Sequence, residues 1–339
     1  MDALSEVLHS VKLEGAVFYN AEFTAPWGFR SPPSREVAAF LHKSKHVIIY
    51  HLLIDGRAQT EVVQSAHRID LVPGDIVIFP HGSAHIISNG CPPCIIDNGK
   101  HLKEMFSQGM TLARAGGGGE PTRLVCGYLG CDQEVSRTFL SGLPPMFKVN
   151  IRNDPAGQWL ESSIHFSAGE AAANRPGSDA VLAKLSEALF IETMRRFMAE
   201  LPPHQTGWLA GARDPAVGAA LASLHRAPEH PWTIANLAQQ VGVSRSALAE
   251  KFRYYLGEPP MTYLSRWRLQ LSARMLTSTS YSVARIAGEV GYESEPAFNR
   301  AFKREYGAPP ARFRTRTRLA QKAVGAVSSR INANAASPQ

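Results

Sequence analysis

A pattern that occurs twice in one chain restricts the fold more than composition does, because both copies must close around the same geometry. The segment LAQQVGVSRSALAEKFRYYLGEPPMTY (Leu237–Tyr263) aligns with IAGEVGYESEPAFNRAFKREYGAPPARF (Ile286–Phe313). Leu237, Ala238, Val241 and Gly242 fall on Ile286, Ala287, Val290 and Gly291. One extra residue in the second turn then brings Leu248, Phe252, Gly257, Pro259 and Pro260 onto Phe298, Phe302, Gly307, Pro309 and Pro310.

Each unit reads as a short helix ended by glycine, a tight turn, and a second helix whose apolar positions face the first. Glycine suits the left-handed conformation that ends a helix, and the Ser244 and Ser294 hydroxyls suit the next N-cap. The expectation is a double helix-turn-helix, a motif whose second helix enters the DNA major groove. With Leu248 and Phe252 inward, the 3.6-residue period exposes Arg245, Ser246, Ala249, Glu250 and Arg253. In the second copy it exposes Glu295, Pro296, Asn299, Arg300 and Lys303, with Arg304 beside them. Arginine suits guanine, asparagine suits adenine, and lysine suits a phosphate. A solvated charged face is the plain alternative for either helix alone, but two copies with matched cores favour DNA.

Charge supports that choice. Residues 245 to 318 hold fourteen Lys and Arg against six Asp and Glu, whereas residues 1 to 244 carry a net charge of −3. A local basic excess favours a polyanion through counterion release. No apolar run approaches the roughly 20 residues that span a bilayer, and MDALSEVLHS is unlike a secretion signal, so the expected location is cytoplasmic, with no membrane partner. Four cysteines, Cys91, Cys94, Cys126 and Cys131, are too few and too local for a disulfide scaffold.

Residues 13 to about 130 show short β-rich runs broken by Gly, Pro and Asn, the pattern of a sandwich or barrel, with ARAGGGGEPT (Ala113–Thr122) as a flexible loop inside it. From Pro144 the pattern turns helical, MFKVN leading into GQWLESSIHFSAGEA. The stripe Leu182, Leu185, Leu189, Ile191 and Met194 in Ala180–Leu201 suits packing on its own domain or pairing with another chain, and its place between the two halves favours pairing. Between the repeat units, Leu264, Trp267, Leu271 and Met275 mark a linking helix. Over about 16 residues it is near 24 Å long and holds the recognition helices about one DNA turn apart.

The double unit, the linking YLSRWRLQLSARML and the closing GYESEPAFNRAFKREYGAPPARFR together resemble the DNA-binding domain of the AraC/XylS family of bacterial transcription regulators. The resemblance implies two recognition helices in adjacent major grooves, with Arg245, Ser246, Ala249, Glu250, Glu295, Pro296, Asn299 and Arg300 facing them. Glu250 departs from the basic or amide residue common there. The N-terminal half resembles the cupin-type sensor domain of one branch of the family. GDIVIFPHGSAHIISN matches the second cupin motif at Gly74, Pro80, Gly82, His85 and Asn89. The first motif is broken: Ile49 occupies its glutamate position and no His-x-His precedes it, so a standard metallocupin site is incomplete and catalysis is not expected.

Strand alternation puts His51 on the same inward face as Ile49, and His85 stands where metal-binding cupins supply a ligand. Together they are candidates for a divalent metal, with His81 or a cysteine completing the set; histidines hydrogen-bonded in an apolar core are the competing reading. Cys91–Cys94 has redox or metal spacing, and the related regulators that respond to reactive chlorine species make all four cysteines oxidation candidates. Trp27, Phe29, Tyr50 and Phe79 offer surface for an organic ligand inside a barrel.

The expected fold is therefore two-domain: an all-β cupin-like barrel plus helices, then an all-α double helix-turn-helix. The boundaries drawn are residues 1–170 for the sensor, 171–212 for a helical linker and dimerisation region, 213–318 for DNA binding, and 319–339 for a disordered tail. The expected function is a homodimeric regulator that binds promoter DNA, works with RNA polymerase, and reads a small molecule, metal or oxidant. The competing class is a cupin metalloenzyme with an appended DNA-targeting module.

Overall fold

The computed structural model describes residues 2–11, 13–34, 46–63, 65, 67–90, 95–97, 112–131, 139–140, 142–172 and 175–319. Cys91, Cys94 and the tail beyond Leu319 lie outside them. Contacts divide the chain into two units. One joins Leu13–Cys131 to Leu143–Glu200; the other joins Met1–Lys12 and Asp132–Gly142 to Leu201–Gln339. This grouping differs from the boundaries drawn on sequence, because the first helix, α1 (Ala3–Val11), is packed among the C-terminal helices.

Among the described residues, eleven strands build the first unit: β1 (Glu14–Thr24), β2 (Trp27–Ser31), β3 (His46–Asp55), β4 (Ala58–Val62), β5 (Arg68–Leu71), β6 (Asp75–Phe79), β7 (His85–Asn89), β8 (Ile95–Asp97), β9 (Leu112–Gly116), β10 (Pro121–Cys131) and β11 (Phe147–Asn150). They form a six-stranded sheet, β11-β6-β3-β10-β1-β9, and a five-stranded sheet, β5-β4-β7-β2-β8. One core joins the two, with Phe23, Ile49, Leu53, Val77, Phe79 and Leu124 from the first sheet and Trp27, Phe29, Val62 and Ile87 from the second. The two sheets are hydrogen-bonded separately, so the expected barrel is not closed.

MFKVN, expected to lead a helix, forms the edge strand β11 instead, pairing antiparallel with β6 from Phe147↔Ile78 to Asn150↔Asp75. Lys148 reaches the buried Asp75 carboxylate at 2.7 Å, a contact between distant segments that local propensity does not encode. The four-glycine run is not a free loop either. Gly117 N–H donates to the Thr24 carbonyl at 2.9 Å, Gly119 N–H to that of Ala25 at 2.8 Å, and Ala25 N–H to that of Glu120 at 2.9 Å. A Cβ on Gly116 would stand 1.9 Å from the Thr24 oxygen, so close backbone approach explains the glycine.

Two helices follow, α2 (Pro155–Ala172) and α3 (Ser178–Glu200). The stripe on α3 is used inside its own unit: Leu182, Leu189, Phe190 and Met194 are buried, and α3 packs on α2, β1, β10 and β11. The expected pairing through this stripe is thus replaced by packing on the sheet. Gly127 makes room for the Tyr50 ring, whose hydroxyl lies 2.9 Å from that of Ser186 on α3.

In the second unit, α4 (Trp208–Arg213) and α5 (Pro215–Arg226) precede the repeat. The first copy is α6 (Ile234–Gln240) and α7 (Arg245–Leu256), and the second is α9 (Val283–Glu289) and α10 (Glu295–Tyr306). Between them runs α8 (Pro260–Ser278), 19 residues, or about 28 Å at helical rise. The amphipathic α1 buries Leu4, Val7 and Val11 and packs on α5, where Arg226 pairs with Glu6 at 2.9 Å.

Candidate nucleic-acid interface and histidine pair

The two copies share their turn glycines, second-helix caps and buried pairs where the sequence alignment required it. Gly242 and Gly291 leave the first helices at φ 73° and 83°, and Gly257 and Gly307 end the second helices at 74° and 69°. After each first helix the chain donates back to the buried alanine, Val243 N–H to the Ala238 carbonyl at 3.1 Å and Tyr292 N–H to that of Ala287 at 2.9 Å. Ser244 and Ser294 cap α7 and α10, accepting from Ala247 and Ala297 N–H. Leu248 and Phe252 are fully buried, as are Phe298 and Phe302.

Those buried pairs fix which face is open. Arg245, Ser246, Glu250 and Arg253 are exposed on α7, with Ala249 half-buried; Glu295, Pro296, Arg300, Lys303 and Arg304 are exposed on α10, with Asn299 half-buried. Among the described residues, none of these basic or acidic groups enters an ion pair. Other arginines of the unit are engaged. Arg268 donates to the carbonyls of Pro228 and His230 at 2.6 and 2.8 Å, Arg314 to that of Leu276 at 3.1 Å, and Arg318 to that of Thr279 at 2.6 Å. Arg266 pairs with Glu258, and Arg285 lies over the Tyr281 ring at 3.7 Å. Sequence reasoning counted all these charges together; only carbonyls contributed from distant turns separate framework arginines from open ones.

Beneath the first copy, Trp208 Nε1–H donates to the Tyr263 hydroxyl at 2.8 Å, and that hydroxyl lies 2.7 Å from His225 Nε2. His225 also stacks on Trp267 at 4.2 Å, and burial lowers its pKa to about 3. A neutral imidazole therefore sits at the base of α8.

In the sheet unit, His51 and His85 meet directly, Nε2 to Nε2 at 2.7 Å. His85 Nδ1 lies 2.8 Å from the Ser83 carbonyl, which only accepts, so Nδ1 carries the proton and Nε2 receives one from His51. His51 Nδ1 is then a buried acceptor without a hydrogen-bond partner among the described residues. Phe79 stacks on His85 at 3.6 Å. Burial lowers the pKa of His85 to about 4, and burial and then the neighbouring His85 hold that of His51 well below its ordinary value.

This geometry does not fit a metal. Two imidazole nitrogens on one tetrahedral zinc stand about 3.3 Å apart, given Zn–N bonds of about 2.0–2.1 Å. His81 is turned elsewhere, its Nε2 3.0 Å from the Leu143 carbonyl, and among the described residues no group of three His, Cys, Asp or Glu gathers. Cys126 and Cys131 are buried, and burial pushes the Cys126 pKa far up, away from the reactive thiolate. Trp27, Phe29 and Phe79 pack in the core, while Tyr50 is turned to α3, so these aromatics do not line an open ligand chamber. A groove of about 730 Å³ opens instead at Glu22, Phe23, Asp55, Arg114, Pro121 and Arg123. Cross-strand register sets Arg114, Glu22, Arg123 and Asp55 in one row of alternating sign.

A family model described as Cupin matches residues 2–199, and one described as Helix-turn-helix domain matches residues 237–316. The HTH-type transcriptional regulator AlkR of Acinetobacter baylyi is 29% identical over 93% of this chain and 99% of its own length. An AraC-like transcription regulator of Streptomyces lividans is 30% identical over 93% of this chain and 98% of its own. The RCS-specific HTH-type transcriptional activator RclR of Escherichia coli is 29% identical over 94% and 99%.

Proposed function

Because the chain belongs to the AraC-like family of DNA-binding transcription regulators, with a cupin-type N-terminal domain, we propose that α7 and α10 read base edges in two successive major grooves. The observation that carries this is the pair of matched helices whose polar faces are open and, among the described residues, free of ion pairs. On α10, Asn299 and Arg300 are the base readers, suited to adenine and guanine, while Lys303 and Arg304 hold phosphates. On α7, Arg245, Ser246 and Arg253 serve the first groove, Ala249 meets a thymine methyl, and Glu250 accepts from a cytosine amine. Promoter DNA is thus the partner, with RNA polymerase the machinery it addresses, in the cytoplasm. The relatives named as transcription regulators support this reading over the metalloenzyme alternative.

The N-terminal domain acts in this reading as the receiver of a chemical signal. A small organic effector carrying both signs of charge fits the groove at Glu22 and Arg123, whose volume lies in the ordinary range for small ligands. The signal reaches the promoter only to the extent that the effector prefers one state of the protein. Oxidation at Cys91–Cys94 is the competing signal, motivated by the C-x-x-C spacing and by RclR, a relative named as RCS-specific.

Titrating a selected promoter fragment with wild-type and variant proteins tests the DNA contacts. Arg300→Ala should weaken the specific site by about 10- to 100-fold and leave random DNA nearly unchanged, whereas Arg304→Ala should weaken both alike and reduce the salt slope by about one. Equal binding of the specific site by wild type and Arg300→Ala would refute the base-reading role.

A further inference from the structure

The two turn glycines share a backbone conformation and differ in their surroundings. Gly242, at φ +73°, has open space where a Cβ would stand, with nothing among the described residues within 4 Å. Gly291, at φ +83°, is pressed against the rest of the unit. Its Cβ would stand 2.7 Å from Arg268 Nη2, 2.7 Å from the Glu229 carbonyl oxygen and 2.8 Å from the Glu229 Cα. Glu229 lies in the stretch between α5 and α6 that leads into the first copy. The turn of the second copy therefore rests on the entry to the first, a contact that the repeat alone does not require.

Arg268 holds this meeting together. Its Nε donates to the Pro228 carbonyl at 2.6 Å, and its Nη2, the nitrogen that faces Gly291, donates to that of His230 at 2.8 Å. The two bonds bracket Glu229, and a planar guanidinium supplies both donors in a fixed mutual geometry. Arg268 also stands one position from the middle of α8, where that helix passes from one core to the other. Trp267 stacks on His225 of α5, whereas Leu269, Ala273 and Leu276 join Ile286, Phe298 and Phe302 of the second copy.

We propose that Arg268 is the positioning residue that sets the separation of the two recognition helices, and with it the spacing of half-sites the protein accepts. The inference rests on the reading of α7 and α10 in successive grooves. One base pair more or less displaces a half-site by about 3.4 Å and turns it by about 35° around the duplex. A tilt of about 10° at the middle of α8 carries its end, about 14 Å away, through roughly 2.4 Å. A connecting helix alone thus leaves play comparable with one base pair. The Arg268 clamp removes that play by tying the entry of one copy to the turn of the other, beside the helix that joins them. Arg268 acts on DNA only through the geometry it holds.

The test is a titration of the full-length protein against duplexes that carry two half-elements selected from random DNA, at the selected separation and one base pair closer or further apart. Wild type should bind either displaced site about 10- to 100-fold more weakly, the scale of one mismatched base pair, and Arg268→Met should bind all three within about threefold of one another. The base preference inside each half and the salt slope should stay as in wild type. A second pair of variants does not depend on how Arg268→Met folds. Gly291→Ala strikes the contact from the other side and should flatten the spacing preference, whereas Gly242→Ala, with the same left-handed backbone and nothing to strike, should keep it. Arg268→Met with the wild-type spacing preference would overturn the proposal, as would Gly291→Ala and Gly242→Ala that behave alike. A salt slope lowered by about one in Arg268→Met would also overturn it, by making the residue a phosphate contact. In each of these cases a wild type that prefers the selected separation leaves the two-groove reading standing; a wild type indifferent to separation would sink both.

Discussion

Acid acts on this protein through imidazoles that are folded in the neutral form. The unfolded chain protonates a histidine near pH 6.5, whereas burial holds the folded His85 down to about 4. The stabilisation from keeping it neutral is thus complete above pH 6.5 and is lost as pH falls towards 4, a loss of up to about 3 kcal/mol at the acid end. His225, lowered to about 3, works with the same sign in the other unit. Urea unfolding at pH 7.5, 6 and 5 should show the midpoint falling steadily, and falling less in His85→Gln; a midpoint flat over that range would contradict the neutral pair. Cys126 belongs to the same scale. Its buried, protonated thiol should resist iodoacetamide in the native protein and react once urea is added, and rapid native labelling at Cys126 would restore it as a redox candidate.

At the scale of elements, backbone approach decides what individual glycines contribute. Gly116→Ala introduces a methyl 1.9 Å from the Thr24 carbonyl at φ +132°, while Gly118→Ala, at φ +86°, meets nothing within 4 Å. The second change should cost about 1–2 kcal/mol of conformational strain, and the first distinctly more, seen as the larger drop in thermal midpoint. Equal drops would mean that the turn relaxes freely. The same contrast explains what was legible in the sequence. The helix-turn-helix units were, because cap, glycine and apolar period are local signals and each occurs twice. The edge strand β11, the anchored glycine turn and the docking of α1 on α5 were not, since each depends on partners far along the chain, such as Asp75 for Lys148 and Arg226 for Glu6. At the sites, the period found the open faces of α7 and α10. It gave no means of telling Arg300, which is open, from Arg268, which holds two backbone carbonyls. The inward His51 and His85 were found as well, but their 2.7 Å contact, unsuited to a metal, is a tertiary fact.

For the whole molecule, the division of charge and of labour coincide. The basic excess lies in residues 245 to 318, with the recognition helices, and residues 1 to 244 carry −3, so affinity for DNA should fall steeply with salt. On the proposed reading, the two helix-turn-helix copies, joined by α8, predict a bipartite site whose halves lie about one helical turn apart, roughly 34 Å. The most direct measurement is selection of binding sites from random duplexes by wild type, Arg245→Ala and Arg300→Ala in parallel. Two half-elements spaced by one turn should emerge for wild type, with Arg245→Ala relaxing the sequence of one half and Arg300→Ala that of the other. A single short element, or two variants that degrade the same positions, would contradict the reading of two matched helices in two grooves.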